Sequence, residues 1–183
     1  YVLVCDAEIS NVLQIENVLK PIISDGKKLL IIAPCSTNVI NTLSANVMKR
    51  GLKVCVIPPP DFGYRQHELM QDISVSVGAK YFSEKTGDDL SLLSFDDLGL
   101  CKKVVVDSSS CLIVKGDNEI SSEVEERISE LQSARLLATT KVEKDFLNKR
   151  IASLAGGIGV VYVGGNTDLE QKELYDRIDD AVC

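Results

Sequence analysis

Three short apolar runs, Val2–Cys5, 29–33 and 53–57, alternate with stretches of helical periodicity at 11–24, 38–49 and 66–77. A run of four or five apolar residues without polar alternation fits a strand covered on both faces. Strands separated by helix-length segments connect as parallel neighbours, so the first 80 residues predict an α/β domain. Breakers fall where the chain should turn: Asp25-Gly26, Arg50-Gly51 and Pro58-Pro59-Pro60-Asp61-Phe62-Gly63. The rhythm changes from Tyr81. Residues 103–107 and 111–115 flank Ser108-Ser109-Ser110 and predict a hairpin. Two helices follow, opened by the capping boxes Ser122-x-x-Glu125 and Thr140-x-x-Glu143. Val124, Ile128 and Leu131 read as a core stripe. Val142, Phe146, Arg150 and Leu154 share helical spacing, while Glu125-Glu126, Lys141, Lys144 and Lys149-Arg150 read as solvated charge.

The stretch from Lys149 to Val182 is equally informative. Gly156-Gly157 can adopt the positive φ that ends a helix or forms a hinge. Residues 158–163 are almost wholly apolar and predict a buried strand. Thr167-Asp168-Leu169-Glu170 is a capping box, so a helix should start there and carry Asp179-Asp180 near its far end. No G-x-x-x-x-G-K-[ST] phosphate loop occurs, and Gly164-Gly165-Asn166-Thr167 lacks its lysine. The simplest reading is a piece of something larger.

Composition excludes several classes of function. A net charge of −7 opposes binding to nucleic acid or an anionic membrane, which reward clustered Lys and Arg. No apolar run approaches the ~20 residues of a membrane span, and the first residues carry no secretory pattern. The six cysteines show no C-x-x-C and no zinc spacing, so they read as reduced thiols, with no metal site. Cys5 and Cys55 sit in strand patterns as small hydrophobes. His67, the single histidine, lacks a triad pattern and is expected at the surface.

The terminal stretch resembles the bacterial-type (GroEL-like) chaperonins. The resemblance rests on Leu154-Ala155-Gly156-Gly157, Val163-Gly164, Thr167-Asp168 and Arg177-Ile178-Asp179-Asp180-Ala181. It runs back through Met70-Gln71-Asp72-Ile73, Phe62-Gly63 with Arg65, LLIIA at 29–33 and DAEISN at 6–11. It implies an apical-like α/β domain at 1–157, sheet layers flanked by helices, which binds clients and co-chaperonin. A strand and helix of the intermediate domain would follow at 158–183. The implied function is that of a molecular chaperone: ATP-driven folding of non-native proteins in a homo-oligomeric ring with a GroES-like co-chaperonin. The compartment would be the cytoplasm, or an organelle matrix in a eukaryote.

The same resemblance assigns residues. Asp180 matches the aspartate that positions the water attacking ATP. Glu16 and Leu19 on a first helix, and Ile40, Ser44, Ala45 and Asn46 on a second, fall at groove positions that hold clients and the GroES loop. Leu43 and Val47 should lie on the core side. Gly156-Gly157 would be a hinge and Asp168 a contact between subunits. ATP and Mg would bind the intact parent rather than this segment, which is expected to hold no cofactor and no ATPase activity. Departures are clear: Glu16, Ser44 and Ala45 replace large apolar residues, Asp61 a glycine, Gln66 and His67 two basic residues, and Leu174 and Tyr175 two lysines. Client and co-chaperonin affinity should suffer. Two rival readings are a stand-alone, ATP-independent holdase-like module and a flavodoxin-like enzyme using Asp6 after the first strand.

Overall fold

The computed structural model describes residues 1–107, 110–115, 121–156, 163–165 and 167–182. Strands β1 (Val2–Cys5), β2 (Leu29–Ile32), β3 (Val54–Ile57) and β4 (Tyr81–Phe82) form one parallel sheet in the order β3-β2-β1-β4. Helices α1 (Glu16–Ser24), α2 (Thr37–Met48) and α3 (Gly63–Val77) connect them. Alternate residues of the strands face opposite layers. Leu3, Cys5, Leu29 and Ile31 join Ile15, Val18 and Ile22 beside α1 and Val39 and Leu43 of α2. Val2, Val4, Leu30 and Ile32 pack with Met70 and Val77 of α3. Both faces of β1 and β2 are therefore covered, and all eight of their residues are buried. This is why their sequences show no polar alternation.

The antiparallel hairpin of β5 (Lys103–Val106) and β6 (Cys111–Val114) lays Val104 and Ile113 against the α3 side. Helices α4 (Ser122–Leu137) and α5 (Lys141–Ala155) then pack over α3 through Val124, Leu131, Leu147 and Leu154, with Ile128 and Val75 alongside. The last helix, α6 (Asp168–Val182), exposes Leu169 and Tyr175.

Several boundaries differ from the expected ones for local reasons. Residues 12–15 form a 3-10 turn capped by Asn11, so α1 starts only at Glu16. Helix α3 starts three residues early, at Gly63, whose φ is +63°, after the extended N-cap Phe62 and the positive-φ residue Asp61. Arg50, not Gly51, takes the left-handed conformation after α2. Ser122 belongs to α4 itself, and its N-cap, Ser121, makes no side-chain cap bond. The box at Thr140 forms, with its hydroxyl accepting from the Glu143 N–H at 3.3 Å. Gly99 bridges antiparallel to Val2, and a Cβ there would stand 2.5 Å from Val77 Cγ2 and 2.7 Å from its carbonyl oxygen. The chain can lie against β1 at that point only without a side chain.

The expected strand at 158–163 lies outside the described residues except for Val163, which is in no strand. Gly157 and the proposed boundary at 157/158 lie outside them too. Gly156 is extended at φ −76° rather than left-handed. Its need for glycine is steric, since a Cβ would stand 2.4 Å from the Ala152 carbonyl oxygen.

Candidate functional site

The outer surface of α1 and α2 is the first candidate. Ile15, Val18, Leu19 and Ile22 recur at helical spacing and turn inward, burying all four. Leu19, expected in the groove, is 5% exposed and belongs to the core. Glu16 sits beside it, half-exposed and paired with Lys20 at 2.9 Å. The apolar side chains that α1 leaves in solvent are Ile23 and, in the preceding turn, Leu13. On α2, Val39 and Leu43 are buried while Ile40, Ser44, Ala45 and Asn46 are exposed. Val47 corrects a second expectation, because it is exposed rather than core. Ile40, Ser44, Val47 and Met48 follow i, i+4, i+7, i+8 spacing, so three apolar residues and one serine form a single outward stripe.

The second candidate lies at the carboxyl ends of β1 and β4. The strand order reverses there, the place where open α/β sheets usually bind ligands. Asp6 Oδ2 accepts from the Tyr81 hydroxyl at 2.7 Å and the Ser83 hydroxyl at 2.8 Å. Its Oδ1 accepts from the Glu84 N–H at 2.9 Å. His67 corrects its expected place: it is half-buried, with Nδ1 at 3.0 Å from the Tyr81 oxygen and 3.8 Å from Asp6 Oδ2. Tyr81 has one proton and gives it to Asp6, so His67 Nδ1 must be the donor in their bond. Burial raises the Asp6 pKa, but bonds from Tyr81, Glu84 and Ser83 and the charge of His67 outweigh it, leaving the carboxyl below its ordinary value.

Asp6 is thus a satisfied tether of the loop after β4. Its hydrogen-bond partners are a tyrosine, a serine and a backbone N–H, and among the described residues Asp88 of the same loop binds Ser83 and Thr86 rather than forming a cluster of three acids. Asp6→Asn should cost about 2 kcal/mol, the worth of bonds to a charged acceptor. A carboxyl lowered by folding stabilises above its unfolded pKa and loses that contribution as pH falls through the folded one. Urea titrations should therefore show the gap between wild type and Asp6→Asn narrowing below about pH 4. A gap independent of pH would remove the carboxylate's role.

A third cluster joins α3, α4 and α5. Arg150 donates from Nε to Asp72 Oδ2 at 2.6 Å and from Nη2 to Oδ1 at 2.9 Å, with Glu68 2.7 Å from Nη2. Arg127 reaches the same Asp72 at 3.0 Å, Glu68 and Gln71 at 3.1 Å, and Glu130 at 3.1 Å. Arg150 is 2% exposed, which overturns its reading as solvated charge. Its helical spacing from Phe146 and Leu154 was the available signal, because a cation on a buried helical face implies a buried counter-charge, whereas Val142 at the start of the same stripe is exposed.

The remaining expected residues are scattered. Asp168 opens α6, exposed, where Thr167 caps the Glu170 N–H at 3.2 Å. Asp180 is exposed near the far end of the same helix. Burial pushes the Cys5 thiol up to about 12, whereas Cys55, expected inside a strand, is exposed on the edge strand β3. Among the described residues no three metal-ligating side chains cluster, and no helix is long and apolar enough to cross a membrane.

The fold is similar to that of part of a solved chaperonin. It matches the solved chaperonin gp146 from the bacteriophage EL 2 (Pseudomonas aeruginosa), determined in the presence of ATP-BeFx, with a TM-score of 0.71 and 18% identity. A second crystal form of that protein gives 0.59 and 19%. Each match covers 99% of this chain but 36% of the solved one. At this identity the likeness is one of fold. No family model matches the sequence.

Proposed function

We propose that this chain is the client-binding segment of a ring-forming, ATP-driven chaperonin. The observation that carries this reading is the apolar stripe of α2, Ile40, Val47 and Met48, which stands in solvent on a chaperonin-like fold, with Ile23 of α1 and Leu13 of the preceding turn also exposed. A folded domain gains nothing by exposing such a stripe unless something covers it. Non-native polypeptides present the complementary apolar segments. In this reading residues 1–157 hold the client and a GroES-like co-chaperonin, and 158–183 transmit motion about Gly156-Gly157. Asp168 meets a neighbouring subunit, and the whole acts in the cytoplasm or an organelle matrix. In this reading ATP and magnesium are held by other parts of the intact protein, because this sequence carries no G-x-x-x-x-G-K-[ST] phosphate loop. This segment would contribute only Asp180, whose carboxylate can orient a water.

A stand-alone holdase remains a second reading, because the apolar face needs no nucleotide to capture a client. The test is suppression of aggregation of a heat-denaturing protein by the isolated chain. Ile40→Asp with Met48→Asp should abolish suppression, since each change removes about 1.5–3 kcal/mol of potential burial. Undiminished suppression would place the client elsewhere. A GroES-type loop peptide should bind poorly, because Ser44 interrupts the stripe and Glu16, paired with Lys20, stands where the resemblance expects an apolar side chain. Glu16→Leu, Ser44→Val and Ala45→Val together should tighten that binding roughly 100-fold. Tight binding by the unmodified chain would refute the assigned groove.

A further inference from the structure

The sheet face opposite α1 and α2 carries a cavity of about 530 Å³. Its walls include Ile32 and Ile57 at the ends of β2 and β3, Pro58, Leu69 and Ile73 of α3, and Leu154 of α5. The volume suits one small organic molecule, and these walls are apolar. The polar part of the wall brings the guanidinium of Arg150 together with Asp72, Asp107, Ser76, Ser110 and Ser153, and Arg150 is its one cation among the described residues.

Asp72 and Glu68 occupy Nε and Nη2 of Arg150, and Nη1 has no partner among the described residues. The Phe146 ring centroid lies 5.3 Å from Cζ, a ring contact that leaves the Nη1 protons without an acceptor. Among the described residues no side-chain nitrogen or oxygen is both sealed from solvent and unpartnered. Nη1 is therefore reached from open space. Because Arg150 is buried and lines the cavity, the cavity is that space.

The charge around this donor selects the ligand. Two guanidiniums, Arg127 and Arg150, face three carboxylates, Asp72, Glu68 and Glu130. An added anion would meet a neighbourhood already negative. A neutral acceptor gains a charge-assisted hydrogen bond and meets no like charge.

We propose that this cavity binds an uncharged, mostly apolar molecule bearing one carbonyl oxygen, to which Nη1 of Arg150 donates. The site shares no residue with the α1–α2 client face and goes beyond the chaperonin reading. The probe is 6-propionyl-2-dimethylaminonaphthalene, a neutral naphthyl ketone, compared by equilibrium dialysis with its analogue carrying propyl in place of propionyl. The ketone should bind at least about tenfold more tightly, the lower end for a hydrogen bond to a charged group. Equal affinities would overturn the role of Arg150. Ser153, an exposed residue of α5 that lines the cavity, offers a way to fill it without disturbing the ion network. Ser153→Trp should weaken ketone binding about tenfold or more, while Ile40→Asp with Met48→Asp should leave it unchanged. The reverse pattern would place the ketone on the client face, and absence of binding at millimolar ketone would overturn the site altogether.

Discussion

Asp72→Ala is expected to destabilise the protein by about 3–5 kcal/mol, the cost of leaving a buried charge without its partner. Asp72 accepts from both Arg127 and Arg150, and the second of these is 2% exposed, with little water to replace the lost carboxylate. At an m-value of about 2 kcal/mol/M the urea midpoint should fall by about 2 M. Glu130→Ala is the control, because Glu130 is 67% exposed and its pair with Arg127 is worth at most about 1 kcal/mol. The network ties α3 only to α4 and α5, so the loss should be local at first. Amide exchange should speed up in α4 and α5 before it does in β1 and β2. Similar midpoints for the two variants would mean that apolar packing, through Val124, Leu131, Leu147 and Leu154, holds this layer without the ions.

The second large effect follows from the proposed function and concerns ATP hydrolysis by the intact chaperonin of that proposal. Asp180→Ala should slow ATP turnover about 10²-fold or more while leaving ATP affinity nearly unchanged. A carboxylate that orients a water acts chiefly in the transition state rather than in nucleotide binding. In this chain Asp180 is exposed on α6, a placement suited to a group whose partners lie outside the segment. Steady-state turnover and nucleotide titration on the same variant separate the two effects. Unchanged turnover would leave Asp180 as surface charge, and an equal loss in affinity would make it a binding residue.

The sequence by itself determined the layer plan. The unbroken runs at Val2–Cys5 and 29–33 could be strands only with both faces covered, and β1 and β2 are buried throughout. The serine-separated pair at 103–107 and 111–115 paired as a hairpin, and Thr140 capped α5 as its spacing required. These features are local, set by periodicity and by hydrogen bonds between near neighbours.

What the tertiary structure decided is which way each side chain turned. Leu19 and Val47 exchanged their expected places because the rotation of a helix is fixed by what it packs on, here Leu3, Cys5 and Ile31, and not by its own period. Arg150 reads as surface charge until Asp72, 78 positions earlier, is brought beneath it. His67 acquires its place only because β4 lies next to β1, carrying Tyr81 to Asp6 across 75 residues. Contacts between residues so far apart leave no periodic trace along the chain, so the folded backbone alone could reveal the ion network, the Asp6 tether and the cavity.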